Sequence, residues 1–248
     1  MSKIVWDNTG EKIYETGCDR GVLYVSDGLG GYKNGVAWNG LTSVTENPSG
    51  AESTALYADN VKYLNMLSSE DFGATIEAYT YPDEFMECDG SASVVDGVVI
   101  GQQTRTTFAM CYRTLKGNDV AGTGLGYKLH IIFNATASPS SKAYSTVNES
   151  PEAIELSYEV STTPVSVSGM DPTASLVIDS TKADPAKLKK LEDILYGTEE
   201  ADARLPLPDE IASIMKADVS PSPNPGGSTG EHKDSGETTG GSTDDHSE

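Results

Sequence analysis

Between Gln103 and Ala137 the chain reads QTRTTFAMCYRTLKGNDVAGTGLGYKLHIIFNATA, and this stretch limits the fold more than any other. Its spacing predicts two long strands, Thr104–Leu115 and Tyr127–Ala137. Successive side chains of a strand alternate between faces, so Phe108, Met110 and Tyr112 share one side of the first. Arg105, Thr107, Ala109, Cys111 and Arg113 take the other. On the second strand, Leu129, Ile131 and Phe133 oppose Lys128, His130 and Asn134. Each strand thus has an apolar face and a mixed, wettable one. The connection Lys116–Gly126 holds Gly117-Asn118-Asp119 and Gly122-Thr123-Gly124, residue types that turn a chain readily. A hairpin this long belongs at the centre of a sheet. No reactive group is assembled on it.

The flanking text is also β-rich. Residues 1–20 form an arm with Ile4, Val5 and Trp6, which either caps its own core or reaches a neighbouring subunit. Gly21–Ser26 is a short strand, and Val36–Glu46 another with a bulge at Asn39-Gly40. Asn47–Ser69 is a long connection, of a kind usually functional within a compact domain. Its other reading is two ordinary strands, Thr54–Ala58 and Tyr63–Leu67. Asp71–Tyr81 is rich in Thr and Tyr and suits a strand, and Pro82–Glu87 suits one helical turn. Asp89-Gly90 and Asp96-Gly97 punctuate a short hairpin. Ile154, Leu156, Tyr158 and Val160 alternate with polar residues as in a half-buried strand, and Ser175–Ser180 is the last strand. Asp184 then caps a helix with Pro185 in its first turn, a Leu188/Leu191/Ile194/Leu195 stripe and Gly197 beyond its end. A second short helix runs from Pro206–Asp209 to about Lys216. From Val219 onward the composition collapses to Gly, Ser, Thr, Pro and charge, which predicts a disordered tail over 219–248.

Charge and reactive residues narrow the function. The formal net charge is −21; the tail accounts for −5, leaving −16 on residues 1–218. Such a polyanion argues against gripping nucleic acid, which depends on Lys and Arg neutralising phosphates. It argues equally against docking on anionic lipid. No apolar run approaches about 18 residues, and the first residues, MSKIVWDNTGEK, lack the apolar core of a secretion signal. Cys18, Cys88 and Cys111 are odd in number and show no metal-ligand spacing, so neither a disulfide framework nor a zinc site is expected. Of three histidines, His232 and His246 lie in the tail, and His130 stands alone on a strand. No nucleophile elbow accompanies it. The expectation is a protein with no catalytic, cofactor or metal site.

Taken in order, several pieces resemble the major tail proteins, or tail tube proteins, of long non-contractile-tailed bacteriophages (siphophages) of Gram-positive hosts. They are Gly21-VLYV, Gly35-VAWNGLTSVTENPSGAE ending at Glu52, LYADNVKYLNMLSSEDFGATIEAYTYPDEFMECDG from Leu56, GQQTRTTFAMCYRTLKGND, YKLHIIFNATASPSSKAYSTVNESPEAI and IDSTKADPAKLKKLEDILYGTEEADARLPLPDEI. Together they cover nearly all of residues 20–214. The resemblance implies a mainly β protein, a tail-tube-type β-sandwich over residues 21–218. It includes a packed α-helix; the C-terminal helical segment and the disordered tail 219–248 are read from the residues, and the resemblance does not extend past Lys216.

Such proteins assemble as homo-oligomers, hexameric rings stacked into a tube through which phage DNA passes without sequence-specific binding. The tape measure, tail terminator and distal tail proteins are the implied partners. The implied location is the virion tail, built in the host bacterial cytoplasm, with no membrane. On this likeness the stretch 47–69 is an inter-subunit loop, with Pro48, Glu52, Leu56, Tyr57, Tyr63, Leu64 and Met66 as contact residues. Glu77, Arg105, Arg113, Lys128, Glu155 and Glu159 are candidates to face the lumen. The rival class is a β-sandwich that binds carbohydrate or mediates adhesion on a virion or cell surface.

Overall fold

Thirteen consecutive residues, Ile13–Val25, form β1, so residues 13–20 of the expected N-terminal arm belong to the sheet. The computed structural model describes residues 3–147 and 153–216. The tail 219–248, with His232 and His246, lies outside the described residues. The protein is mainly β. After β1 come β2 (Val36–Trp38) and β3 (Leu41–Glu46), then β4 (Ser49–Gly50), β5 (Ser53–Ala58), β6 (Val61–Leu67) and β7 (Glu70–Asp71). β8 (Gly73–Ala78) precedes a 3-10 turn at Asp83–Phe85 and the single-turn α1 (Met86–Asp89), where the helical turn was expected. β9 (Ala92–Val95) and β10 (Val98–Ile100) turn at Asp96-Gly97. The central pair is β11 (Phe108–Asn118) and β12 (Gly122–Ala137). There follow β13 (Leu156–Thr162), β14 (Val165–Val167), β15 (Met170–Thr173) and β16 (Ser175–Asp179), then α2 (Pro185–Tyr196) and α3 (Pro208–Lys216).

Eight strands make one antiparallel sheet in the order β2-β1-β11-β12-β13-β8-β3, with β16 also on β12. The long hairpin is its centre, as the pattern required. The first strand starts and ends later than expected, the second begins earlier, and the loop shrinks to residues 119–121. Thr104–Thr107 precede the sheet, while Gly117 lies inside β11 rather than in a turn. A Cβ at Gly117 would come within 2.6 Å of the Tyr14 ring, so that position must stay bare for β1 to cross it. Asn39-Gly40 is a corner, not a bulge. It carries the chain from β2 at one end of the sheet to β3 at the other.

The mixed face of the hairpin is not wet. Phe108, Met110 and Tyr112 join a first core with Trp38, Phe85 and Tyr158. Ala109 and Cys111, on the opposite side, join Leu129, Ile131 and Phe133 in a second core sealed by Leu188, Leu191 and Leu195 of α2 and by α3. Both faces of β11 are therefore buried, because the helices cover one of them. β12 serves both cores through an irregularity near Asn134. Met110 pairs with Ile132 but Phe108 with Ala135, so two residues of β12 face one of β11. Asn134 adopts φ 47°, which an Asn tolerates. Beyond it, Ala135 and Ala137 point into the first core.

Aromatic rings fill the first core: Phe85 lies 4.6 Å from Trp38, 4.9 Å from Tyr158 and 5.4 Å from Phe108, between ring centroids. Helix α2 starts as predicted, with the Asp184 carboxylate accepting from the Ala186 and Lys187 N–H groups. Tyr24 closes the second core by donating to the Leu195 carbonyl at 2.6 Å.

Candidate assembly surfaces

Between β3 and β8 the chain leaves the sheet altogether. β4 pairs with β7 at a narrow root, and β5 pairs with β6 beyond it as a two-stranded ribbon. Both readings of Asn47–Ser69 therefore hold in part: there are two strands, and they project. Gly50 makes the root possible, because at φ +85° any Cβ would run into the Ser69 carbonyl oxygen. Glu52 and Ser68 clasp the two strands above it, the Glu52 N–H donating to Ser68 Oγ and the Ser68 N–H to the Glu52 carbonyl.

The ribbon is apolar on both sides. Leu56 pairs with Leu64 and Thr54 with Met66 across one face. Tyr57 opposes Lys62, with Tyr63 as the extra residue of a bulge. Tyr57 and Tyr63 are each 71% exposed, Leu67 73%, and every residue of β6 is exposed. Five of the expected contact residues, Leu56, Tyr57, Tyr63, Leu64 and Met66, thus stand together on the ribbon. Pro48 and Glu52 sit near its root.

The expected lumen set is not one surface. Glu77, Ser157 and Glu159 alternate with the core residues Ile76, Tyr158 and Val160, so they face outward on β8 and β13. Ser43 and Thr42 of β3 donate to Glu77 and Glu155 at 2.7 and 2.5 Å. That face is hydroxyl-rich and acidic. Arg113 lies on the helix-covered side, held bidentately by Asp19 at 2.7 and 2.6 Å with its guanidinium over Tyr127. Its hydrogen bonds hold the Asp19 carboxyl below the usual range. Lys128 pairs with Glu15 of β1 on the side of the first core. Arg105 precedes β11, donates to the Ala137 carbonyl at 2.9 Å and lies 3.9 Å from Asp89. The three cations serve internal pairs, while the three acids share the outer face of β3, β8 and β13.

A second ribbon is the short hairpin expected at Asp96-Gly97, although its exposure went unread in the sequence. β9 and β10 leave Val94, Val95, Val98, Val99 and Ile100 exposed. The signal was present: a run of β-branched residues without polar alternation cannot bury one face and wet the other. The hairpin β14–β15, turning at Ser168-Gly169, was also missed; Asp209 of α3 anchors it by accepting from Ser168 N–H and Oγ.

Little here supports chemistry. Burial pushes the thiol of Cys18 up to about 11 and those of Cys88 and Cys111 up to about 12, so all stay protonated at neutral pH. His130 stacks on Tyr112 with centroids 4.8 Å apart and takes part in a hydrogen bond with Thr114. A cleft of about 700 Å³ between the ribbon root and β15 is lined by Glu70, Phe72, Pro164 and Asp171, without His, Cys or a basic residue. Among the described residues no cluster of three metal-ligating side chains occurs, and no helix is long and apolar enough to cross a membrane.

No protein-family model matches the chain, and no curated protein matches its sequence. Among solved structures, a chain of the six-fold symmetrised baseplate of the anti-feeding prophage is similar at TM-score 0.33 and 8% identity. The match covers 73% of this chain and 99% of that one. A chain of the sheath–tube complex of an extracellular contractile injection system, in its extended state, is similar at TM-score 0.28 and 14% identity. That match covers 64% of this chain and 88% of that one. Below a TM-score of 0.5, neither likeness carries an argument about function.

Proposed function

We propose that the protein is a structural component of a phage tail, which self-assembles into stacked hexameric rings forming the tube through which DNA is ejected. The observation that carries this reading is the β5–β6 ribbon. A two-stranded hairpin is marginal alone in water, and one with Leu56, Leu64, Tyr57 and Tyr63 on its two sides exposes apolar surface that a monomer has no use for. Other copies of the chain are the cover that the sequence resemblance implies. On this reading the ribbon inserts between neighbouring subunits, and the arm with Ile4, Val5 and Trp6 does likewise.

The outer face of β3, β8 and β13 lines the bore. Glu77, Glu155 and Glu159 stand there among Ser and Thr residues, and the three candidate cations are engaged elsewhere. Such a wall repels phosphate and lets DNA slide. The tape measure, tail terminator and distal tail proteins cap or fill the tube, and the finished assembly resides in the virion tail.

Electron microscopy of the purified protein tests the reading. Tubes or ring stacks are expected. Deleting Ser53–Leu64 is expected to leave a folded chain that no longer assembles; unimpaired tubes from that variant would sink the role given to the ribbon.

A further inference from the structure

The protein carries a formal net charge of −21, so two copies repel wherever they approach. Contact costs least where the surface is apolar and nearly free of charge. The two ribbons are such places. Residues 91–101 carry a single charge, Asp96, and residues 53–67 carry only Asp59 and Lys62. Asp96 and Lys62 are exposed, and neither makes an ion pair among the described residues. Each ribbon also presents β-branched or aromatic residues on both sides, so neither is finished by its own chain.

Pairing a ribbon with its own kind leaves Asp96 without a cation. Pairing one kind with the other gives each ribbon an apolar partner and sets the one acid of β9–β10 against the one base of β5–β6. We propose that the β9–β10 ribbon of one copy lies against the β5–β6 ribbon of a second copy, apolar side to apolar side, with Asp96 opposing Lys62. Because two different patches meet, the contact is heterologous. It continues from copy to copy until a ring closes or a filament grows. This inference rests on the tube reading above and names the surfaces by which its subunits join.

Two variants test it by complementation. Leu56→Asp with Leu64→Asp spoils one ribbon; Val95→Asp with Val98→Asp spoils the other. Circular dichroism and thermal melting establish that both variants fold, since neither pair touches a core. Each variant alone is expected to sediment as a monomer, and an equimolar mixture as a discrete dimer joined by the two intact ribbons. Assembly of either variant alone, or a mixture that stays monomeric while wild type assembles, overturns the contact and leaves the tube reading standing. A wild type that never assembles removes the tube reading, and the contact with it.

Charge reversal gives an independent arm. Asp96→Lys brings the net charge closer to zero, so general repulsion predicts easier assembly; the proposed contact predicts association weaker by about tenfold. Combining it with Lys62→Asp is expected to restore wild-type assembly. Improved assembly by Asp96→Lys alone, or no rescue in the double variant, refutes the pairing.

Discussion

Strand β11 and strand β6 are both apolar, yet they lead opposite lives. β11 buries Ala109 and Cys111 on one side and Phe108, Met110 and Tyr112 on the other. β6 buries nothing, although it carries Tyr63, Leu64, Met66 and Leu67. Strand composition announces that a segment will be covered, not who supplies the cover. For β11 it is the protein's own helices and opposing strands; for β6 we assign it to other copies.

The sharpest way to break that contrast is to cut side-chain bulk from the core that β11 helps to build and from the ribbon. Phe85→Ala empties the centre of the aromatic core and is expected to cost the monomer about 4 kcal/mol in a denaturant titration. A loss under about 1 kcal/mol would mean that the core is not where stability resides. Next comes the largely buried ion pair between β11 and β16. Lys116 lies 2.6 Å from Asp179 and 2.9 Å from Thr181, and Lys116→Met is expected to cost about 3 kcal/mol at neutral pH. Partial burial alone would raise the Asp179 carboxyl, but hydrogen bonds from Lys116 and Thr181 outweigh it and hold the group well below its usual range. A carboxyl held low contributes stability that is complete above 3.8, its ordinary value, and is lost as pH falls through the folded value. The gap between wild type and Lys116→Met is therefore expected to narrow below about pH 4. A gap that widens in acid would contradict the pair's role.

Smaller effects belong to the ribbon. Gly50→Val strains the root, and hydrogen exchange over residues 53–67 is expected to quicken while the main sheet stays protected. Slower or unchanged exchange there would show the root to be looser than its geometry. Last, Leu64→Ser is expected to move monomer stability by no more than about 0.5 kcal/mol while weakening assembly in sedimentation. A large monomer loss would place the ribbon inside the fold's own economy.

Local punctuation was legible. Asp184 and Pro185 start α2 where the sequence predicts, and Leu156, Tyr158 and Val160 alternate into β13. Ile154 falls outside that strand and is exposed, because alternation continues past the point where β8 offers a partner. Long-range choices were not legible. Nothing local tells Val36–Glu46 that its halves belong at opposite ends of a sheet, or tells Asn134 that β12 must change cores. The ribbon residues were named on the resemblance to tail tube proteins, because the residues alone allowed two ordinary strands as readily as a projecting loop. The lumen set was mixed because Arg113 and Lys128 are claimed by Asp19 and Glu15, acids about a hundred residues away in sequence.

The corner at Asn39-Gly40 has a mechanical meaning. Strands at the two ends of the sheet, β2 and β3, are tied by two residues, which span at most about 7 Å when stretched. A load that tries to peel the sheet open must pull against covalent backbone there, not against hydrogen bonds alone. The seam is a stitch that holds the two ends of the sheet together where hydrogen bonds alone would let them part.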